Sequence, residues 1–67
     1  MRDPARIDRI LAKLGEVWRK SPDMRLGQLV ENLQRSAPTA FQRWNFEDDR
    51  TEQALDRVIA GGWEALL

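Results

Sequence analysis

Apolar residues recur at three- and four-residue intervals through the first part of the chain. Ile7, Ile10, Leu11, Leu14, Val17 and Trp18 share one stripe of a helical wheel. Asp3 stands where it can cap such a helix, with Pro4 at the first position, where a missing N–H costs nothing. The spacing predicts a helix over residues 4–20, ended by Ser21-Pro22-Asp23. Gly15 is its one weak position, costing about 1 kcal/mol against alanine where exposed. A second stripe, Leu26, Leu29, Val30 and Leu33, predicts a helix over residues 24–35, with Ser21 or Asp23 as its cap. A third, with Leu55, Val58 and Ile59 facing inward and Ala54 beside them, predicts a helix over residues 49–60. Asp49 and Glu52 there resemble a capping box, and Gly61-Gly62 supplies the terminating conformation.

Between the second and third helices the pattern changes. Pro38 breaks a helix, and Trp44 and Phe46 alternate with Arg43, Asn45 and Glu47. Residues 36–47 read as an ordered loop whose aromatics plug the core, with room for one helical turn around Phe41. Trp63, Leu66 and Leu67 form an apolar tail that either folds back onto the core or buries itself in a second subunit. The expectation is all-α: a single small domain over residues 1–67, three short helices in a compact bundle, with an aromatic-bearing loop before the third.

Composition narrows the chemistry. The 67 residues include no histidine and no cysteine, so the usual base, the thiol nucleophile and the two commonest zinc ligands are missing. A disulfide framework is impossible. An enzyme is not expected, and no catalytic residue, metal ligand, cofactor or small-molecule substrate is assigned. About twenty side chains are large and apolar. A core of that size leaves a monomer marginal unless it packs well or a second copy covers its apolar surface.

Charge changes the picture further. Eleven basic and eleven acidic residues cancel, but residues 1–43 hold nine basic and five acidic groups and residues 44–67 hold two and six, a balance of +4 against −4. Either the halves attract each other within the fold or the imbalance marks an interaction surface. No apolar run approaches the roughly 20 residues that span a bilayer. The first residues, Met-Arg-Asp-Pro, lead into charged amphipathic sequence and not into a signal-peptide core. A cytoplasmic location and no membrane association are expected.

The run Trp18-x-x-x-Pro22-Asp23-x-Arg25-Leu26-Gly27-Gln28-Leu29 resembles a group of small bacterial helical proteins of uncharacterised function. Arg6-Ile7-Asp8-Arg9-Ile10-Leu11 and the later Trp44-Asn45-Phe46-Glu47-Asp48-Asp49 share in the resemblance, which covers most of residues 2–59. Gly15 and the glycine-terminated tail depart from it. The resemblance implies a compact helical fold and transfers no functional residue.

Three features are candidates for function. At 100° per residue, Arg2, Arg6, Arg9, Lys13 and Lys20 fall within about 60° of one another, interrupted by Glu16 and read as lying opposite the apolar stripe. Such a ridge suits phosphates or an acidic protein surface. Trp63, beyond the third helix, is the candidate exposed or intersubunit anchor. The acidic run Glu47-Asp48-Asp49 lacks the spacing of a calcium loop and is read as helix capping. A helix-turn-helix with Gln42 and Arg43 on a recognition helix is disfavoured, since its turn, Ser36-Ala37-Pro38-Thr39, lacks glycine. The expected function is a non-enzymatic protein–protein interaction module, binding another protein or itself. The alternative is a nucleic-acid-binding or regulatory protein that uses the arginine-rich face of the first helix.

Overall fold

The computed structural model describes residues 3–35, 37 and 39–66. The architecture is all-α, as the periodicity predicts, with four helices: α1 (Ala5–Lys20), α2 (Leu26–Leu33), α3 (Ala40–Trp44) and α4 (Asp48–Gly61). A 3₁₀ turn, Trp63–Leu66, closes the described chain. No strand occurs among the described residues.

The start of α1 follows its capping signal closely, the Asp3 carboxylate accepting the Ala5 N–H at 2.9 Å. The second helix is shorter than its stripe implies. Neither Ser21 nor Asp23 caps it. It starts after Arg25, whose N–H is taken by the Gln28 side-chain oxygen at 3.1 Å, and it ends at Leu33. The region expected as a loop contains α3. Thr39 accepts the Gln42 N–H at 3.1 Å while Gln42 accepts the Thr39 N–H at 3.2 Å, a reciprocal capping box that starts a helix despite the nearby proline.

Val17 of α1, Leu29 and Leu33 of α2, and Ala54, Leu55 and Val58 of α4 form the buried core. Ile10, Leu14, Trp18, Met24, Ile59, Trp63 and Leu66 pack around it. α4 is the central element, packing against α1, α2 and the terminal turn. α1 and α4 run parallel, because Arg6 meets Asp48 while Lys13 meets Asp56. A parallel pair needs a return connection of about the helix's length, and α2 with α3 supplies it. Gly62 adopts φ +75° and its N–H bonds to the Val58 carbonyl at 2.8 Å. That left-handed step turns the tail back onto α4. Of the two fates open to the tail, Trp63 and Leu66 take the first.

Candidate functional site

The charged ridge comes first, because its surroundings decide its role. Arg6 Nε lies 2.7 Å from Asp48 Oδ2. Arg9 grips Glu52 with a two-pronged contact, Nε to Oε2 at 2.6 Å and Nη2 to Oε1 at 2.9 Å. Lys13 Nζ reaches Glu52 at 2.7 Å and Asp56 at 2.8 Å. Asp48, Glu52 and Asp56 are four residues apart and therefore share a flank of α4. The Glu52 carboxylate is only 15% exposed. Hydrogen bonds from Arg9 and then Lys13, more than simple attraction, hold its pKa down at about 2. The same contacts raise the pKa of Lys13, where the bond to Asp56 is the largest cause.

Three expectations change here. Glu52 does not close a capping box on α4, since Arg9 and Lys13 occupy its oxygens. Within the acidic run, Asp48 turns to Arg6 and Asp49 accepts the next residue's N–H at 2.9 Å. No group of three or more acidic side chains placed to hold a metal occurs among the described residues. The ridge does not stand opposite the core face. On a 100° wheel Val17 and Ile10 lie only about 60° from the ridge's centre, while Leu11 lies about 170° away. The buried part of the α1 stripe is the edge nearest the ridge, and α4 covers both together. Ile7 and Leu11, on the far edge, stay about half exposed.

The remaining candidates are placed as follows. Lys20 stands on the last turn of α1, 4.0 Å from Glu16, both well exposed. Arg2 lies outside the described residues. Trp63 is half-buried against the core and its Nε1–H points to Ser21 Oγ at 3.3 Å. It is a packing residue of the terminal turn and not an exposed anchor, because the Gly62 reversal brings it back against α1's end. Trp18 packs in the same region and donates to the Met24 carbonyl at 2.8 Å.

The surface that sequence reasoning missed is α3. Phe41 is 78% exposed and Trp44 89%, so these aromatics do not plug the core. Phe46, just beyond the helix, is partly covered and lies under the Arg50 guanidinium, 4.7 Å from its ring centre. The polar residue of α3 is the one that faces the protein. Arg43 Nε donates to the Ala37 carbonyl at 3.0 Å and its Nη2 lies 3.7 Å from Glu31. Gln34 Nε2 donates to the Arg43 carbonyl at 3.4 Å. Arg43 stands about 160° and 100° around the helix from Phe41 and Trp44, so seating it on α2 turns both rings outward. A capped, five-residue helix thus presents two large aromatic rings on a tethered backbone. The Thr39-x-x-Gln42 spacing could have revealed the helix; the direction of its faces depends on where α2 sits.

α2 also leaves apolar surface in water. Leu26 is 47% exposed and Val30 39%, although both belong to the α2 stripe whose other members, Leu29 and Leu33, are buried. Phe41 and Trp44 alone leave roughly 300–400 Å² of aromatic surface in water. An apolar patch on a typical monomer reaches about 300–600 Å² and is often functional at that size. No helix among the described residues is long and apolar enough to cross a membrane.

Compared with known proteins, the chain matches no family model, no curated protein and no solved structure.

Proposed function

We propose that this chain is a non-enzymatic protein–protein interaction module of the cytoplasm that docks through α3, with Phe41 and Trp44 as its anchors. The observation that carries this reading is the outward pair of rings on a helix whose own arginine holds it to α2. Tryptophan and other large side chains dominate binding energy at interfaces, and rings fixed in advance lose little freedom on docking. Arg43 turns its guanidinium to the Ala37 carbonyl and to Glu31, so a partner on the Phe41 and Trp44 side meets mainly apolar surface with a charged surround. A second copy of the chain is the simplest occupant, since small cores gain from covering exposed apolar area.

Nucleic-acid binding through the first helix is the weaker reading. Arg6, Arg9 and Lys13 are already neutralised by the carboxylates of α4, and phosphates would have to displace them. The helix-turn-helix variant fares no better, because the Gln42 side chain caps α3 and Arg43 binds back to Ala37 and to Glu31 of α2.

The test is the Phe41→Ala/Trp44→Ala pair. Sedimentation across a wide concentration range measures self-association, and photo-crosslinking from the exposed position 40 of the same helix in the native host captures other partners. Loss of either association in the double variant, with an unchanged helical spectrum, supports the module. A wild type that stays monomeric, with the same crosslinked proteins recovered whether or not the rings are present, sinks it.

A further inference from the structure

The flank of α4 turned away from α1 carries the opposite charge. Arg50 and Arg57 are seven residues apart, within roughly 20° of each other around the helix, with Gln53 between them in sequence. Together with Arg35, just past the end of α2, they line a cavity of about 180 Å³. Phe46, Leu33 and Leu66 complete much of the lining, and among the described residues no acidic side chain contributes to it. The guanidiniums of Arg35 and Arg57 have no ion-pair or hydrogen-bond partner among the described residues.

We propose that this cavity is a binding site for a single phosphate group. Asp48, Glu52 and Asp56 of α4 are on the other flank, bound to α1, and neutralise neither Arg35 nor Arg57. Arg35 and Arg57 bring two guanidiniums without a partner among the described residues to one small cavity, and the planar fork of arginine matches phosphate oxygens two at a time. The Arg50 guanidinium already rests on the Phe46 ring at 4.7 Å, which positions a third before any ligand arrives. The volume limits the ligand. It is below the roughly 300–1,000 Å³ of pockets that enclose a drug-sized molecule, so the site takes an anionic group and leaves the rest of its carrier outside. A doubly charged phosphate suits two or three guanidiniums better than a singly charged carboxylate does.

This inference is independent of the α3 docking surface. Thermal unfolding of the full chain with increasing inorganic phosphate, against chloride at equal ionic strength, is the primary test. Ligand binding to the folded state raises the melting temperature in a saturable way. Phosphate is expected to do so, acetate to do less, and Arg35→Ala/Arg57→Ala to weaken the phosphate affinity at least tenfold. Arg19→Ala/Arg25→Ala removes the same charge elsewhere and is expected to leave the response intact. O-phosphoserine and glycerol phosphate separate the sources: tighter binding of an ester assigns the site to a phosphorylated molecule, tighter binding of inorganic phosphate to the free ion. Should the arginine variants fail to fold, the side-chain Nε resonances of Arg35 and Arg57 in the wild type are expected to shift with phosphate and so report binding directly. A phosphate response equal to that of chloride, one undiminished in Arg35→Ala/Arg57→Ala, one lost equally in the control pair, or unmoved arginine resonances would overturn the proposal.

Discussion

Along the α1–α4 seam, Arg9, Lys13 and Glu52 turn toward one another and the apolar residues beneath them are closed to water. On α3 the assignment is reversed, with Arg43 turned to the protein and Phe41 and Trp44 turned out. Both regions are amphipathic helices, and neither departs from ordinary helix geometry. The difference lies in what stands beside them. α1 has a helix of complementary charge running parallel at its side, and Arg6, Arg9 and Lys13 are consumed there. α3 has only the end of α2 and the connection after it, whose offer is a carboxylate at Glu31 and a carbonyl at Ala37. Charge therefore serves cohesion along the seam, and on α3 apolar surface is what remains for a partner. Of the two readings open to a +4/−4 chain, the seam realises the first, in which the halves attract each other.

The largest effect that separates the two regions comes from deleting one large apolar side chain in each. Leu55 is fully buried beneath the seam, so Leu55→Ala removes its transfer energy and leaves a cavity, a loss of about 2–5 kcal/mol. That approaches the whole stability expected of so small a domain. Trp44→Ala removes a larger side chain, yet urea unfolding is expected to show a change within about 0.5 kcal/mol. A large destabilisation by Trp44→Ala at concentrations where the chain is monomeric would mean that the ring packs against its own chain and that the contrast is false.

Next in size is the seam's carboxylate. Glu52→Gln leaves Arg9 and Lys13 facing an uncharged amide and is expected to lower the melting temperature, by less than Leu55→Ala does. The variant also carries a pH signature. The folded pKa of Glu52 is about 2 against an ordinary 4.5. Its contribution is therefore complete above the unfolded value and lost as pH falls from about 4.5 toward 2. Wild-type stability should decline through that window and the decline should be shallower in Glu52→Gln. Lys13 has a raised pKa, so its contribution persists at neutral pH and is lost only as alkaline pH passes the folded value. Salt should weaken the wild type more than the variant. Parallel acid titrations of identical slope would remove Glu52 from its assigned place.

Arg43→Ala tests the tether of α3. A bond from a charged donor to the Ala37 carbonyl, in a partly exposed setting, is expected to contribute about 1 kcal/mol. The more telling readout is local: amide exchange should accelerate in residues 40–45 and stay unchanged along α1. Uniform acceleration would show that α3 unfolds only with the whole domain.

The same contrast marks where sequence alone stops being informative. The stripes of α1 and α4 and the Gly61-Gly62 stop are one-dimensional signals, and their helices lie within a residue or so of the predicted bounds. The stripe of α2 overstates both its length and its burial. A four-residue apolar repeat cannot say that one edge will be covered and Leu26 and Val30 left open. Asp48, Glu52 and Asp56 display their common flank in their spacing, but their partner depends on α1 running parallel, a fact of tertiary arrangement. The rings of α3 escape prediction for the same reason. Aromatics in a short segment are presumed buried, and only the position of α2 shows that the place on the inside is taken by Arg43. The arginine cavity is the least legible, since Arg35 and Arg57 come from different parts of the chain and meet only once α4 is placed.

The smallest expected effect is a gain, and it separates helix propensity from the seam itself. Gly15 lies within α1, where glycine is less favourable than alanine by about 1 kcal/mol. An added β-carbon would stand 3.0 Å from Arg19 Nη1 and touch nothing else closer than that same guanidinium. The obstructing atom is the far end of a flexible, exposed side chain without an ion pair among the described residues, and it can swing aside. Gly15→Ala is therefore expected to stabilise the domain by about 0.5–1 kcal/mol. Because Gly15 touches neither Glu52 nor the carboxylates beside it, the gain should be the same in the Glu52→Gln background. Additivity of the two substitutions would mean that α1 is held by its own propensity and by the charged seam as separate contributions. A gain that disappears with Glu52 would instead show that α1 is helical only when α4 holds it.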